Sequence, residues 1–169
     1  MKILQIVGYK NAGKTTIARE IVSMLTAEGL RVGTIKRDAH DADPEPDGAD
    51  TRLLREAGAL VSALSSDART LWVRERPASL EELLAAMQEE AVDVAIVEGF
   101  KSAPHPKLAL LRDEADLELL GLSGLAAIVL PGPCPAAEQA ALPAGIPVFR
   151  TDGRRFGTLL EYVRSQLLD

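Results

Sequence analysis

The sequence predicts a three-layer α/β fold, a mostly parallel sheet with helices on both faces. Three observations carry that prediction. Short apolar runs alternate with amphipathic segments along all 169 residues. The first run, KILQIV (2–7), has the near-continuous apolarity of a strand buried on both faces. The opening elements then read strand, helix, strand, the crossover unit on which parallel pairing depends.

After the first strand, Lys14 to Glu28 carries Ile17, Ile21 and Leu25, with Ala18 and Val22 beside them on one helical face. Gly29 is placed to end that helix, and LRVGTIK (30–36) is the second strand. Residues 37–48, RDAHDADPEPDG, form an acidic, proline-bearing loop, too polar for core and long enough to be a moving, functional segment. A short helix in ADTRLLREAG follows, with Asp50 as its candidate N-cap. ALVSAL (59–64) and RTLWVRE (69–75) are two strand-like runs whose spacing across SSDA suits a hairpin. Ser79 with Glu82 makes a capping box for a helix that aligns Leu80, Leu83, Leu84 and Met87. VDVAIVEGF (92–100) is the most strand-like segment, and KLALLR (107–112) and LAAIVLP (125–131) extend the series. The Pro/Gly/Ala-rich stretch 131–147 is a connection with a helical turn near Ala136–Ala141. It leads to a short strand, PVF (147–149), and to a final helix striped by Phe156, Leu159, Leu160, Val163 and Leu167. Neither an internal repeat nor a dividing linker occurs, so residues 1–169 read as one domain.

Composition narrows the function classes. Hydrophobic residues at 47% and charged residues at 26% give enough apolar surface for one buried core. A net charge of −6 with no Lys/Arg block argues against a nucleic-acid partner. Cys134, the single cysteine, excludes an internal disulfide and a cysteine metal cage. With no signal-peptide pattern and no apolar run near the roughly 20 residues that span a bilayer, the sequence reads as a soluble cytoplasmic protein without a membrane partner.

Chemistry concentrates in GYKNAGKTT (8–16). Gly8 through Thr15 match G-x-x-x-x-G-K-[ST], after a predicted strand and at the start of a predicted helix, the context a phosphate-binding loop requires. Gly8 and Gly13 allow the backbone to approach and its N–H groups to turn inward on phosphate oxygens, helped by the positive end of the helix dipole. The candidate nucleotide-binding residues are Gly8, Lys10, Asn11, Ala12, Gly13, Lys14, Thr15 and Thr16. Lys14 is expected to reach the β- and γ-phosphates and Thr15 to ligate Mg²⁺, with Thr16 near the α-phosphate. Lys10 is either a second cation over the phosphates or an exposed loop lysine.

In VAIVEGF, Glu98 ends a buried strand next to the first one, where ligands sit in open α/β sheets. It could stand in for the usual Asp on Mg²⁺ or its water shell, lie near the attacking water, or simply face solvent. Lys14 and Glu98 are thus the candidate catalytic pair, and Thr15 and Glu98 the candidate metal ligands. A carboxylate of the loop holding Asp38, His40, Asp41, Asp43, Glu45, Asp47 and Asp50 could also reach the metal, though for each acid singly a solvated surface position is favoured. His40 and His105 are the only histidines, too few for a histidine-rich metal tract. No Asn-Lys-x-Asp run identifies the base.

IVGYKNAGKTT, GTIKRDAH, DGADTRLLREAGA and VAIVEGFK, in this order and at these separations, resemble the molybdopterin-guanine dinucleotide biosynthesis protein B (MobB) family. The resemblance covers most of residues 1–112 and is carried most specifically by the loop together with VEGFK and KLALLR. It implies a phosphate-loop GTP-binding protein, a weak Mg²⁺-dependent GTPase at most. It also implies a homodimer, and a partner in the guanylyltransferase that joins GMP to molybdopterin. Gly8, Gly13, Lys14, Thr15, Thr16, Glu98 and Gly99 carry over directly. The family often has Lys-His at the start of the acidic loop and another histidine soon after, whereas here Arg37 follows Lys36 and only His40 remains.

The absence of an evident arginine finger or catalytic glutamine fits slow turnover, although Arg37, Arg52 or an arginine across a dimer could supply one. The competing readings are a small-molecule kinase, for which no arginine-rich lid is visible, a general ATPase, and a carrier that binds GTP without hydrolysing it.

Overall fold

The structure, a computed structural model, describes residues 1–38, 43–151 and 156–168, with the side chains of the final helix described as far as Gln166. His40 and Asp41 of the acidic loop, and the Leu167 side chain of the expected terminal stripe, lie outside the described residues. The chain forms two compact units, residues 1–37 with 83–169, and residues 38–82.

The larger unit is built on a six-stranded sheet. Its strands are β1 (Lys2–Val7), β2 (Val32–Lys36), β5 (Val94–Glu98), β6 (Lys107–Leu110), β7 (Leu125–Leu130) and β8 (Val148–Arg150), in the spatial order β2-β5-β1-β6-β7-β8. Each adjacent pair is parallel. The long apolar runs arise from this arrangement: β1, β5, β6 and β7 are covered on both sides, so the buried side chains of both alternating sets are apolar apart from Gln5 and Lys107. On one face Leu4, Ile6, Val94, Ile96, Leu108, Leu110, Ala127 and Val129 pack against Ile17, Ile21 and Leu25 of α1 (Lys14–Ala27) and Leu159 and Val163 of α5 (Gly157–Leu168). On the other face Val7, Ala109, Leu111, Ile128 and Leu130 meet Leu119 of a 3₁₀ helix (Glu114–Gly121) and Ala137 of α4 (Pro135–Gln139). Met87, in α3 (Leu80–Glu89), lies against Gly33 of β2.

Gly29 ends α1 as expected: at φ +83° its N–H bonds the Thr26 carbonyl at 3.0 Å while Leu30 N–H reaches Leu25 at 3.1 Å. The 3₁₀ helix was not foreseen. It lies in an acid-rich segment without the apolar period of an α-helix, and is opened by Asp113, whose carboxylate accepts the Ala115 N–H at 3.0 Å.

The smaller unit holds α2 (Asp50–Glu56) and the antiparallel hairpin of β3 (Val61–Ser65) and β4 (Thr70–Arg74). Asp50 is not the N-cap. That position belongs to Ala49, and Asp50 lies in the first turn, where its charge still suits the helix dipole. The Ser79–Glu82 capping box is present, with Ser79 N–H to Glu82 at 2.9 Å and Glu82 N–H to the Ser79 hydroxyl at 3.2 Å. Of the described acids of the loop only Glu45 is buried, while Asp38, Asp43, Asp47 and Asp50 keep the exposed positions expected of them. Asp43 and Glu45 bind the Arg55 guanidinium at 2.9 and 2.6 Å, with Glu75 at 2.5 Å, while Asp43, Asp47 and Glu56 surround Arg52. Two arginines one helical turn apart on α2 gather the loop's carboxylates. Among the described residues no helix is long and apolar enough to cross a membrane.

Candidate nucleotide site

The candidate site lies wholly within the larger unit, at the carboxyl ends of β1 and β5. The parallel register sets Glu98 beside Ile6 on one side and Lys36 on the other, two residues before the loop that starts at Gly8. A Cβ at Gly8 would come within 3.2 Å of both the Ala12 and Leu110 Cβ atoms, so the loop's first turn leaves room only for glycine without displacement. Asn11 and Gly13 have left-handed backbones, φ +62° and +87°, and Gly13 is the N-cap of α1. The chain thereby curls around the helix N-terminus, the geometry that presents successive N–H groups to an anion. Ala12 is buried under this curl, while Lys10, Asn11, Thr15 and Thr16 are exposed at its mouth.

The structure brings Lys14, Thr15 and Glu98 together. The Thr15 hydroxyl donates to Glu98 Oε2 at 2.9 Å, and Lys14 Nζ lies 4.0 Å from Glu98 Oε1 while donating to the Tyr9 carbonyl at 2.8 Å. Desolvation lowers the Lys14 pKa most. Glu98 opposes the shift, and Lys36, Arg112 and Lys101 add to it. A group whose charge is disfavoured by burial and by neighbouring cations is a receptive site for a polyanion.

Those neighbours are the candidate site residues that sequence reasoning passed over as such, although Lys36, Lys101 and Arg112 all lie inside the quoted motifs. Their signal was positional: each follows or ends a parallel strand at the edge where β1 delivers its loop. Lys101 Nζ sits 3.4 Å from the centre of the Tyr9 ring, and Arg112 donates to the Lys10 carbonyl at 3.0 Å. Arg37 instead stacks over Phe100 at 5.3 Å, and Arg52 is engaged by carboxylates of its own unit. The turn after Glu98 is tightly held. Gln5 of β1 donates to the Gly99 and Phe100 carbonyls at 3.0 and 2.9 Å, and Gly99, at φ +95°, leaves only 3.1 Å between an added Cβ and Arg37.

Hard oxygen donors at Thr15 and Glu98, beside a backbone curl that a Cβ would fill, suit Mg²⁺, which takes few protein oxygens and completes its shell with water and phosphate. No group of three or more His, Cys, Asp or Glu that could cage a metal occurs among the described residues. A cavity of about 300 Å³ lined by Met1, Lys2, His105 and Tyr162 lies at the amino end of β1 and includes none of the loop residues. It is the wrong end of a parallel sheet for this chemistry.

Residues 3–130 match the family model for molybdopterin guanine dinucleotide synthesis protein B. A Bacillus subtilis (strain 168) protein described as "probable molybdopterin-guanine dinucleotide biosynthesis adapter protein" is 32% identical over 98% of this chain and 92% of its own length. The Escherichia coli (strain K12) molybdopterin-guanine dinucleotide biosynthesis adapter protein is 34% identical over 67% of each chain. The crystal structure of Bacillus subtilis MobB superposes with a TM-score of 0.80 at 30% identity, covering 99% of this chain and 98% of that one.

Proposed function

This chain belongs to the molybdopterin guanine dinucleotide synthesis protein B family, and on that premise we propose that it is a GTP-binding adapter in the making of molybdopterin guanine dinucleotide. The observation that carries the nucleotide part is the meeting of Thr15, Lys14 and Glu98 at the mouth of the Gly8–Thr16 curl. Lys14, its charge disfavoured by burial and by neighbouring cations, gains a further anionic partner when phosphate arrives. Mg²⁺ held through Thr15 and Glu98 would neutralise charge between the β- and γ-phosphates. Glu98 both orients the Thr15 hydroxyl and keeps a carboxylate where a water shell can be ordered. Slow hydrolysis in this reading takes support from Arg37 and Arg52, which are engaged with other partners within the chain.

The adapter part takes its support from the names of the relatives. The partner in this reading is the enzyme that transfers the guanylyl group, and the chain works as a homodimer. The exposed apolar side chains Leu60, Val61, Leu64 and Trp72 of the smaller unit supply surface for association.

Calorimetric titration with Mg²⁺–GTP and Mg²⁺–ATP tests the reading. GTP is expected to bind with clear preference, and Lys14→Ala is expected to abolish binding. Unchanged affinity in that variant would sink the site. Equal or ATP-favoured binding would remove GTP from the proposal.

A further inference from the structure

Asp116 is completely buried in the 3₁₀ helix, yet its Oδ1 has no hydrogen-bond partner among the described residues. Its other oxygen, Oδ2, is engaged twice by one residue, the Arg112 backbone N–H at 2.7 Å and Arg112 Nε at 3.2 Å. An underused buried carboxylate oxygen costs stability, so a packed interior would not be expected to retain one without a compensating use. What Asp116 does is fix the plane of the Arg112 guanidinium. Once Nε is tied down, the fork has one direction, and NH1 lands on the Lys10 carbonyl at 3.0 Å.

That carbonyl belongs to the third residue of the phosphate loop. A peptide has its C=O and N–H on opposite sides, so holding the Lys10 oxygen outward onto Arg112 turns the N–H of Asn11 toward the inside of the curl. Asn11 itself is in the left-handed region, which asparagine adopts more readily than other non-glycine residues, and the Arg112 contact adds a hold on the peptide before it. A second tether acts one residue earlier, where Lys101 covers the Tyr9 ring and lies within the field of Asp116. The Lys101 tether starts in the same turn as Glu98, so the metal-side strand end and the loop are braced against each other.

We propose that Arg112, oriented by buried Asp116, is a positioning residue that presets the phosphate loop for its nucleotide. The inference rests on the nucleotide-binding reading of residues 8–16. Arg112 acts through the loop backbone, by the fork geometry of its guanidinium and not by charge alone.

The test combines Mg²⁺–GTP calorimetry, at low and high salt, with amide hydrogen exchange of residues 9–13 in the free protein. The variants are Arg112→Lys, Arg112→Met and Asp116→Asn, with Lys14→Ala alongside. Loss of a charge-assisted hydrogen bond is expected to weaken GTP binding roughly tenfold or more in Arg112→Met and to speed exchange in the loop. Arg112→Lys keeps the charge and the fold but not the fork. It is expected to stay close to Arg112→Met in both readouts, with a deficit that persists at high salt. Asp116→Asn, if it folds, is expected to do the same. Full rescue by lysine would make Arg112 a cation only and overturn the proposal, as would unaltered loop exchange in Arg112→Met. If Lys14→Ala abolishes binding while the Arg112 variants bind as the parent does, this inference alone fails. If the parent binds no nucleotide, the nucleotide reading fails, and the exchange measurement still decides whether Arg112 sets the loop.

Discussion

Glu98 occupies a position where charge and hydrogen bonding are separable. Glu98→Gln retains an oxygen for the Thr15 hydroxyl but removes the negative charge. Nucleotide is expected to bind still, while the Mg²⁺ affinity of the nucleotide complex falls at least about 10–100-fold, the usual effect of losing even a carboxylate in the metal's outer shell. A magnesium titration monitored by calorimetry checks this, and an unchanged magnesium dependence would place Glu98 outside the metal's surroundings. Asp93 allows a pH prediction. The Arg31 guanidinium and N–H hold its carboxyl at a pKa of about 2, below the usual 3.8. Because the folded value is the lower one, the interaction stabilises the fold above the unfolded value and is lost as pH falls from 3.8 to about 2. Asp93→Asn is therefore expected to flatten part of the acid-unfolding slope in that window. An unaltered slope in a circular-dichroism pH titration would remove the pair from the account.

At the scale of elements, connections are fixed as tightly as cores. Fully buried Lys107, at the start of β6, donates to the Ala103 and His105 carbonyls at 2.7 and 3.1 Å and to Ser123, joining the segment after β5 to the turn before β7. That turn is closed by Gly124, at φ +73°, where an added Cβ would lie 2.6 Å from the His105 carbonyl oxygen. Gly124→Ala is expected to lower stability by at least about 1–2 kcal/mol for the left-handed backbone alone, read by urea unfolding. A neutral result would mean that the turn relaxes freely. The repeating elements were legible because they obey simple periods: Ile17, Ile21 and Leu25 on α1, and the double-sided apolar runs of β1, β5 and β7. The 3₁₀ helix was not, since EADLELLG has the acids of a loop and its order comes from Asp113, from the buried Asp116 and from packing of Leu119.

Over the whole molecule, the charges divide by unit. Arg55 gathers Asp43, Glu45 and Glu75 in the smaller unit, and these contacts hold the Asp43 and Glu45 carboxyls below their ordinary range: Asp43 chiefly through Arg55, Glu45 first through Thr51 and then through Arg55. Arg55→Met is expected to leave those carboxylates repelling one another and to open the smaller unit selectively. Faster amide exchange in β3 and β4, with a shift in emission of Trp72, the only tryptophan, is the expected readout. Exchange in β1 and β5 is expected to stay as it is, and equal acceleration there would show that the two units unfold together.

The sequence alone determined the parallel α/β architecture and marked residues 8–16 as the candidate phosphate loop. Both are written in local codes, an apolar period in one case and a glycine-lysine spacing in the other, that neighbouring residues enforce whatever lies elsewhere. It also indicated Glu98, because the end of a buried strand is a place the pattern can mark. Tertiary structure decided which groups meet that loop. Lys101, Arg112 and Asp116 are about a hundred residues from Tyr9 and Lys10 in the chain, and only the pairing of β1 with β5 on one side and β6 on the other sets them there. It also decided the fate of the described loop acids, since whether a carboxylate faces water, metal or arginine depends on which helix face folds beneath it, and no local pattern encodes that.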